Sequence, residues 1–553
     1  MTRRIAIYGG IALLVATTAA GQTRDENWKK CASHDPEPSI AGCTAIILSG
    51  QETDQNLSTA YRNRGNDYSR LKQHGKAIDD YTQSIRLNPS NEYAINGRGK
   101  AYDHTSQYDL AIRDHDEAIR LNPNFAAAFN ERGIAYDDKG QFDRAIEDYN
   151  HAMALDPKMT EPYYNRGLAY VHKGQNDQSL TDFDRYVGMT PSDPDGYYDR
   201  GNANRRLGHC DKALPDFDQA LRLDASYAMA YFFRAMCQAS SRQYGQAITD
   251  YSQYIQLKAN DPDGYNNRGN AYNNSEQYDK AIADFDQALR LDPQHAFAIY
   301  NRGRSYRFKK QYGQALADFS QYIKLKPDDP DGFVSRAGTY DDTDQLDKAI
   351  ADYSEALRLQ PDQTDTLSHR ATAYRRTGQA QLAVADYDKV LSLSPTSTEV
   401  FFTRGLAKFV TPDLAGAAAD FQRYLDSARA TAGNVPYAVL WKHAAKARLG
   451  QGDSADMAQQ AAKLDLTKWP EPVVKFYMGQ MTAEQLKAAA ANADADTQKN
   501  QTCEANFYGG EIALAREQGP VAVTRLKAAR DGCPKTFIEY DGAVAELKRL
   551  GIK

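Results

Sequence analysis

The chain has 553 residues, of which 41% are hydrophobic and 25% charged, the composition of a folded protein. Its 67 Lys and Arg residues are nearly balanced by 73 Asp and Glu residues, which gives a net charge of -6. This balance offers no electrostatic footprint for nucleic acid or an acidic membrane surface, so we expect neither as a partner. The length suggests three or four domains, unless the chain is built from repeats.

Residues 1–21 have the order of a secretory signal peptide. Arg3 and Arg4 precede the apolar stretch 5–16, and small residues lead to an expected cleavage after Ala20. The apolar stretch is short for a membrane span, and no other stretch approaches about 18 apolar residues. We therefore predict a periplasmic protein. The alternatives are secretion or anchoring by an uncleaved signal, and only the last would place the chain at a membrane.

Six cysteines in an exported chain are expected to pair. Their order along the chain predicts three disulfides, Cys31–Cys43, Cys210–Cys237 and Cys503–Cys533. A metal site is the alternative, but the chain lacks the CxxC spacing or neighbouring histidines that such a site usually needs.

A strict 34-residue period organises the middle of the chain. Arginine recurs at every 34th residue from Arg64 to Arg404, which defines eleven repeats over 58–431 when this arginine is given position 7. Position 8 is always Gly or Ala, position 20 is Ala and position 24 aromatic in every repeat but one, and Pro stands near position 32 in most repeats. Position 4 is large and apolar or aromatic, and position 11 is usually Tyr.

Positions 4, 8 and 11 share one helix face, as do positions 20, 24 and 27. Each repeat is therefore predicted to be a helical hairpin that turns near position 15, with small residues where the backbones approach and Pro ending the second helix. These motifs resemble the tetratricopeptide repeat (TPR). The resemblance implies an all-α, right-handed superhelical solenoid whose first helices line a concave groove for extended peptides or partner proteins.

Aspartate occupies position 23 of every repeat, from Asp80 to Asp420. In such a hairpin positions 7 and 23 lie at similar heights, so we predict a ladder of ion pairs in which each Arg reaches an Asp of its own or a neighbouring repeat. Catalytic acids are the alternative, although a carboxylate paired with Arg is a poor proton donor near neutral pH.

A longer period of 68 residues overlies the first. A tyrosine replaces the usual small residue at position 27 of repeats 4, 6 and 8, at Tyr186, Tyr254 and Tyr322. Each tyrosine is followed by the sequence Asp-Pro-Asp-Gly, which begins at Asp193, Asp261 and Asp329. The Asp-Pro-Asp-Gly sequence is similar to the start of a calcium-binding loop, but it lacks the ligating residues that follow in such a loop. We interpret the Asp as a helix cap followed by Pro at the first helical position.

In this family the groove is lined chiefly by positions 2, 5, 6, 9, 12 and 13. The candidate partner-binding residues are aromatic at position 5, basic at positions 12 and 13, and Asn at position 6, where an amide could pair with the main chain of a ligand: Tyr164, Tyr198, Phe232, Arg205, Arg206, Asn165, Asn267 and Asn301. Ordinary packing and a solvated surface are the alternative interpretations. The carboxylate clamp of chaperone adaptors begins with Arg62 and Asn66, but Gly97, Ala127 and Glu131 break it.

The two ends depart from the repeat. Residues 22–57 are predicted to form a helical cap that holds the first cysteine pair, and residues 432–553 a helical C-terminal region. In that region we expect a pair of helices over 436–449 and 453–464, the second of which starts at Asp453. We also expect a helix after a cap at Thr482, a hairpin over 503–531 and a closing helix over 537–550.

The C-terminal region resembles the periplasmic NlpI lipoprotein family. The matching features are Trp469-Pro470, Phe476-Tyr477-Met478-Gly479, Glu504-Ala505-Asn506-Phe507-Tyr508, and Phe537-Ile538-Glu539-Tyr540 with Glu546-Leu547. The family implies an envelope adaptor that gathers peptidoglycan-cleaving enzymes and a protease. This chain differs in having more repeats, no lipid-attachment cysteine and an added cysteine pair.

No catalytic motif of the HExxH, GxSxG or GxxxxGK type occurs, and the ten histidines are scattered, so we predict neither an enzyme nor a cofactor. The leading hypothesis is a scaffold of the bacterial cell envelope that binds other envelope proteins, such as peptidoglycan hydrolases or a protease, in its groove. The alternative is a polysaccharide- or peptidoglycan-binding module in which Tyr164, Tyr198 and Phe232 stack on sugar rings.

Overall fold

The computed structural model describes residues 23–427, 433–452, 454–464 and 469–552. All regular structure in these ranges is helical, and it falls into two compact units, one ending at Ala259 and the other beginning at Asn260. The predicted signal peptide and the predicted helix start at Asp453 lie outside the described residues. Within the described ranges, no helix is long and apolar enough to cross a bilayer.

A helical hairpin precedes the repeats. It consists of α1 (Arg24–Cys31) and α2 (Pro36–Ser49), and a disulfide joins Cys31 to Cys43. The next helix begins at residue 54, four residues before the predicted start of the first repeat, because the Thr53 hydroxyl caps it by accepting a hydrogen bond from the N–H of Asn56 at 3.3 Å.

Each of the eleven repeats is a pair of antiparallel helices. The first helices are α3 (Asp54–Arg70), α5 (Glu92–Asp103), α7 (Ala126–Asp138), α9 (Glu161–His172), α11 (Pro194–Arg206), α13 (Ala228–Ser240), α15 (Pro262–Asn274), α17 (Ala296–Phe308), α19 (Pro330–Asp342), α21 (Thr364–Arg376) and α23 (Thr398–Val410). The second helices are α4 (His74–Leu87), α6 (Tyr108–Leu121), α8 (Phe142–Leu155), α10 (Asn176–Met189), α12 (Cys210–Leu223), α14 (Tyr244–Leu257), α16 (Tyr278–Leu291), α18 (Tyr312–Leu325), α20 (Leu346–Leu359), α22 (Ala380–Leu393) and α24 (Leu414–Leu425).

The turn inside each hairpin lies at position 15, where the backbone takes a left-handed conformation. Glycine fills this position in four repeats, for example Gly140 with φ of 71°, and polar residues such as Lys72 fill most others. The N–H of Gln141 then donates to the carbonyl oxygen of Tyr136 at 2.8 Å and closes the first helix. The predicted turn near position 15 is confirmed.

Pro is not what ends the second helix in every repeat. Helix α12 ends at Leu223 although Ala225 stands where most repeats have Pro. Its end is set instead by Asp224, whose carboxylate accepts hydrogen bonds from the N–H and the hydroxyl of Ser226 at 2.8 and 2.6 Å. An Asn or Asp at the same position makes this local turn in several other repeats.

The small residues of the repeat lie where the two helices of a hairpin meet. Alanines at position 20, such as Ala145, are fully buried, and the aromatic ring at position 24 fills the space beside them. A Cβ atom added to Gly133 would lie 2.6 Å from the ring of Tyr149, and one added to Gly167 would lie 2.7 Å from that of Phe183. Position 8 therefore has to be small because the ring at position 24 packs directly against its backbone.

The predicted ladder of arginine and aspartate is present in all eleven repeats. Nε and Nη2 of each arginine donate to the two carboxylate oxygens of the aspartate in the same repeat, as from Arg302 to Asp318 at 2.9 and 2.7 Å. Nη1 of Arg302 reaches Asp286, at position 25 of the preceding repeat, at 2.7 Å. Arg302 therefore stabilises its own hairpin and also joins it to the preceding one.

The C-terminal region adds further helices to the second unit, and these share one hydrophobic core with repeat 11. Its helices are α25 (Val435–Arg448), α26 (Ser454–Ala461), α27 (Glu471–Tyr477), α28 (Ala483–Ala489), α29 (Ala495–Ala515), α30 (Gly519–Gly532) and α31 (Ile538–Arg549). The cap at Thr482 is confirmed: its hydroxyl accepts a hydrogen bond from the N–H of Gln485, and its own N–H donates to the side-chain oxygen of Gln485. The predicted start of the hairpin at 503 is wrong, because Asp494 caps a helix that begins eight residues earlier.

All three cysteine pairs form disulfides, and the described residues contain no free cysteine. Cys210 and Cys237 join repeats 5 and 6, with their Cα atoms 5.2 Å apart. Cys503 and Cys533 join α29 to the end of α30, with their Cα atoms 4.9 Å apart. The second and third disulfides therefore link successive helical segments across a turn.

Candidate functional site

The first helices line depressions at the positions expected for a groove. A pocket of about 710 Å³ in repeats 1–3 is lined by positions 5, 6, 9, 12 and 13, including Arg62, Asn66 and Lys100. A second pocket, of about 360 Å³, uses positions 9, 12 and 13 of repeat 8 through Arg304, Arg307 and Phe308. We call this surface of the first helices the groove.

The groove changes character along the first unit. Repeat 1 supplies Arg62 and Arg70 at positions 5 and 13, whereas repeats 2 and 3 supply carboxylates at positions 6, 12 and 13. Burial, together with the charges of Asp138 and Glu131, raises the pKa of Asp103 to about 7. From repeat 3 to repeat 6, position 9 becomes largely apolar and half-buried, with Ile134, Leu168 and Met236. The groove thus contains a basic end, an acidic stretch and an apolar stretch.

The three predicted aromatic residues pack against other rings. The Tyr164 ring lies 4.9 Å from that of Tyr186, the Tyr198 ring 4.9 Å from that of Tyr227, and the Phe232 ring 4.9 Å from that of Tyr254. All three predicted residues remain half-buried. We call Tyr164, Tyr198 and Phe232 the aromatic strip of the groove in repeats 4–6. These ring contacts give the aromatic strip a packing role in the free protein.

The 68-residue period has a physical explanation in these contacts. Tyr186 at position 27 packs on Tyr164 at position 5, and its hydroxyl donates to the Asp193 carboxylate that caps the next repeat. A Cβ atom at Gly196 would lie 2.7 Å from the Tyr186 ring, so the glycine of Asp-Pro-Asp-Gly makes room for the tyrosine. Tyr322, Asp329 and Gly332 repeat this arrangement, with Tyr300 at position 5. The interpretation of the turn as a helix cap is confirmed.

The predicted asparagines are engaged within the protein. Asn165 donates to the side-chain oxygen of Asn130 at 3.0 Å, and Asn301 to that of Asn266 at 3.1 Å, in each case across adjacent first helices. Asn267 donates to a main-chain oxygen of its own helix at 2.8 Å. These amides therefore stabilise the array in the free protein.

The two predicted arginines of repeat 5 lie at the edge of the aromatic strip. The Arg205 guanidinium lies 4.3 Å from the centre of the Phe233 ring and hydrogen-bonds to the Asn202 side chain at 2.8 Å. Burial and the neighbouring charge of Arg206 lower the pKa of Arg205. Arg206 is exposed. Neither arginine forms an ion pair with a carboxylate of the described residues.

Comparison with protein families identifies the repeat. Models described as tetratricopeptide repeat match residues 58–91, 160–193, 198–265, 262–295, 300–364, 335–398 and 368–435, and one described as TPR repeat matches residues 135–174. Together they cover more than half of the chain. The chain belongs to the tetratricopeptide repeat family. TPR arrays generally act as non-catalytic scaffolds that offer an extended binding surface.

Solved TPR proteins are similar to parts of the chain. YrrB, described as a TPR protein with an unusual peptide-binding site, is 24% identical over 34% of this chain and 95% of its own, with a TM-score of 0.31. MamA from Desulfovibrio magneticus RS-1 is 23% identical over 30% of this chain and 95% of its own, with a TM-score of 0.30. Yeast Tom70 is 17% identical over 73% of this chain and 99% of its own, with a TM-score of 0.36.

The closing helix α31 occupies the groove of TPR repeats 10 and 11. Asp541 of α31 forms an ion pair with Arg375, at position 12 of repeat 10, and Arg549 donates to the carbonyl oxygen of Phe409, at position 12 of repeat 11. A Cβ atom on Gly542 would lie 2.6 Å from the Phe507 ring, so the helix approaches the hydrophobic core closely. The sequence did not predict this contact, which joins residues 166 positions apart.

Buried carboxylates hold the C-terminal region together. Glu504 accepts hydrogen bonds from Nε1 of Trp469 at 2.7 Å and from the hydroxyl of Tyr437 at 3.3 Å, and the Tyr508 hydroxyl donates to Glu539 at 3.1 Å. Burial raises the pKa of Glu504 and of Glu539, and the Glu539 charge adds to the rise at Glu504. We interpret these groups as structural, because their partners belong to the elements that they join.

Sequence reasoning missed several groove residues of this TPR array. Lys100, Arg304, Arg307 and Phe308 line pockets at positions 9, 12 and 13, and Phe308 is 55% exposed. These residues could have been found by applying all the groove positions to every repeat, rather than some of them to repeats 4–8 alone. Among the described residues, no group of three or more His, Cys, Asp or Glu side chains could hold a metal ion.

Proposed function

We propose that this chain is a non-catalytic scaffold of the bacterial cell envelope, which binds partner proteins in the groove of its TPR array. The observation that carries the proposal is the groove of repeats 4–6, where an aromatic strip borders half-buried apolar residues at position 9 and two arginines without carboxylate partners. Such a mixture of apolar and charged side chains suits a protein segment.

The envelope location rests on the sequence. The charged, apolar and small-residue order of residues 1–21 favours export, and three disulfides favour an oxidising compartment. The resemblance of the C-terminal region to the periplasmic NlpI family favours envelope partners such as peptidoglycan hydrolases or a protease.

Binding of a polysaccharide is the second candidate. Stacking on sugars would use the faces of Tyr164, Tyr198 and Phe232, and each of these rings already has another ring centred 4.9 Å away. The packing on one side reduces the surface left for a sugar. We therefore place protein binding first.

A crosslinked pull-down from the envelope fraction tests the proposal. Replacing the three packed aromatic residues with Ala would leave cavities, so the better bait carries Leu168→Lys and Met236→Lys at position 9 of the groove. The matched control is Leu223→Lys with Leu257→Lys, which adds the same charge at exposed ends of second helices. We expect the wild type and the control to capture the same envelope proteins and the groove variant to lose them.

Identical protein capture by all three baits would move binding away from this groove. Retention on purified peptidoglycan or polysaccharide without protein capture would favour the second candidate. The groove variant and the control must both show the helical circular dichroism of the wild type for the comparison to be valid.

A further inference from the structure

We infer that Arg205 and Arg206 form a docking site for a carboxylate carried on a helix of a partner protein. The inference rests on the proposed function and names the chemistry of the segment that the groove of repeats 4–6 would bind. It is drawn from a second arginine pair in the same chain, Arg375 and Arg376, which has such an occupant.

The two pairs hold equivalent places in the repeat. Residues 203–208 read Ala-Asn-Arg-Arg-Leu-Gly and residues 373–378 read Ala-Tyr-Arg-Arg-Thr-Gly, with the arginines at positions 12 and 13 and the left-handed glycine at position 15 in both. Both pairs end a first helix, α11 in repeat 5 and α21 in repeat 10. The backbone therefore presents the two pairs in the same way.

The pair in repeat 10 is fully neutralised. Arg375 meets Asp541 of the docked helix α31, and its side chain is 9% exposed. Arg376 meets Asp341 and Asp344, at positions 12 and 15 of the preceding repeat. One arginine thus binds the helix in the groove, and the other binds the array.

The pair in repeat 5 lacks both kinds of partner. The residues equivalent to Asp341 and Asp344 are Val171 and Gly174, which carry no charge. Asp199 lies near enough to Arg206 for that charge to favour its ionised form, although burial raises its pKa overall, and its carboxylate accepts its hydrogen bond from Tyr164. Two cations therefore face the groove with no carboxylate bound to them among the described residues.

The surroundings of Arg205 favour a helix with an apolar face. The guanidinium stacks on Phe233, which stands at a position that is Asn in several other repeats, and Asn202 fixes its Nε and Nη2 groups. Nη1 has no hydrogen bond to the residues that the structure describes, and it is available for a carboxylate. The half-buried side chains of Leu168, Val171 and Met236 supply apolar surface at positions 9 and 12 of the adjoining repeats. An amphipathic helix with Glu or Asp beside its apolar stripe matches both features.

A matched pair of peptides tests the inference on the full chain. The probe is an 18-residue amphipathic helix with Leu along one stripe and Glu at two positions that flank it, and its partner has Gln at those two positions. Fluorescence anisotropy with labelled peptides measures the dissociation constants. We expect the Glu peptide to bind about tenfold more tightly than the Gln peptide, with the difference shrinking as salt is raised.

The variants assign the preference to the two arginines. Arg205→Gln with Arg206→Gln is expected to abolish the preference for Glu, while Arg205→Glu with Arg206→Glu is expected to favour a Lys peptide. The control, Arg222→Gln with Arg290→Gln, makes the same change of net charge at exposed ends of second helices and is expected to keep the wild-type preference. A reversal of charge selectivity cannot arise from simple unfolding.

Four results would overturn the inference. Equal binding of the Glu and Gln peptides to the wild type would leave an apolar groove and so would spare the proposed function. A preference that survives in the Arg205→Gln, Arg206→Gln variant would place the cation site elsewhere. Absence of peptide binding would also reject it, and oligogalacturonate binding that depends on the same arginines would assign the pair to a glycan carboxylate.

Discussion

The hydroxyl of Tyr164 donates a hydrogen bond of 2.7 Å to Oδ2 of Asp199, which lies 35 residues later in the next repeat. Asp199 stands at position 6, where several other repeats have Asn. Burial raises the pKa of Asp199 to about 6, although the hydrogen bond from Tyr164 and the Arg206 charge favour the ionised form. The bond therefore joins two repeats and also stabilises a carboxylate next to the proposed docking site.

We expect Tyr164→Phe to destabilise repeats 4 and 5 by about 1–2 kcal/mol at pH 8, because the half-buried carboxylate loses its donor. The loss should be smaller at pH 5, below the folded pKa of Asp199, where the carboxyl is largely protonated. Hydrogen exchange of α9 and α11 measures the change. The control is Tyr163→Phe, whose hydroxyl makes no hydrogen bond among the described residues; equal losses for the two variants would contradict this role of Tyr164.

The ladder provides a comparison around a single arginine. Asp318 is buried against Arg302, whereas Asp286 contacts the same guanidinium with 39% of its side chain exposed. We expect Asp318→Asn to destabilise its repeat by about 3 kcal/mol and Asp286→Asn by less than about 1 kcal/mol. Hydrogen exchange of α17 and α18 is the suitable measurement, because repeat arrays do not unfold as one two-state unit. Similar losses for both variants would show that burial does not set the strength of the pair.

The C-terminal region should lose stability as the pH rises. The raised pKa of Glu504 means that its carboxyl stays protonated in the folded chain above the pH at which an unfolded chain releases the proton, near 4.5. The folded state then binds more protons, and stability falls from about pH 5 upward through the raised pKa. We expect Glu504→Gln to be more stable than the wild type at pH 9 and no more stable at pH 5.

Tryptophan fluorescence during urea unfolding reports this region, since Trp441 and Trp469 are two of the three tryptophans of the chain. Exposed Glu484→Gln is the matched control and should follow the wild type at both pH values. A flat stability profile for the wild type between pH 5 and pH 9 would be incompatible with a buried, protonated Glu504.

The disulfides give a direct test of the compartment. Protein taken from the envelope and denatured without reductant should show no reactive thiol, and reduction should release six. The Cys210→Ser, Cys237→Ser variant should release four. Six reactive thiols before reduction would mean that the protein folds in a reducing compartment and would remove one support of the export proposal.

The local pattern of the repeat predicted the hairpins, the turn at position 15 and the pairing of Arg302 with Asp318, because each depends on residues at a fixed spacing. The engagement of Asn165 and Asn301 was not predicted, since it depends on the side chain of the preceding repeat. The contact of Asp541 with Arg375 lay beyond prediction for another reason. No periodicity links the closing helix to the array, so only the packed structure reveals that this arginine is neutralised and the equivalent Arg205 is not.

The spacing of the ladder bears on how the array changes length. Arg302 contacts residues 286 and 318, sixteen positions to either side, and residues equivalent to these recur in the other repeats. Excising or duplicating a block of 34 residues therefore brings an equivalent donor and acceptor to each junction, so recombination between repeats can shorten or lengthen the gene without breaking the ladder. The set formed by Tyr186, Asp193 and Gly196 recurs every 68 residues, so its alternation with repeats that lack it is kept only when two repeats are gained or lost together.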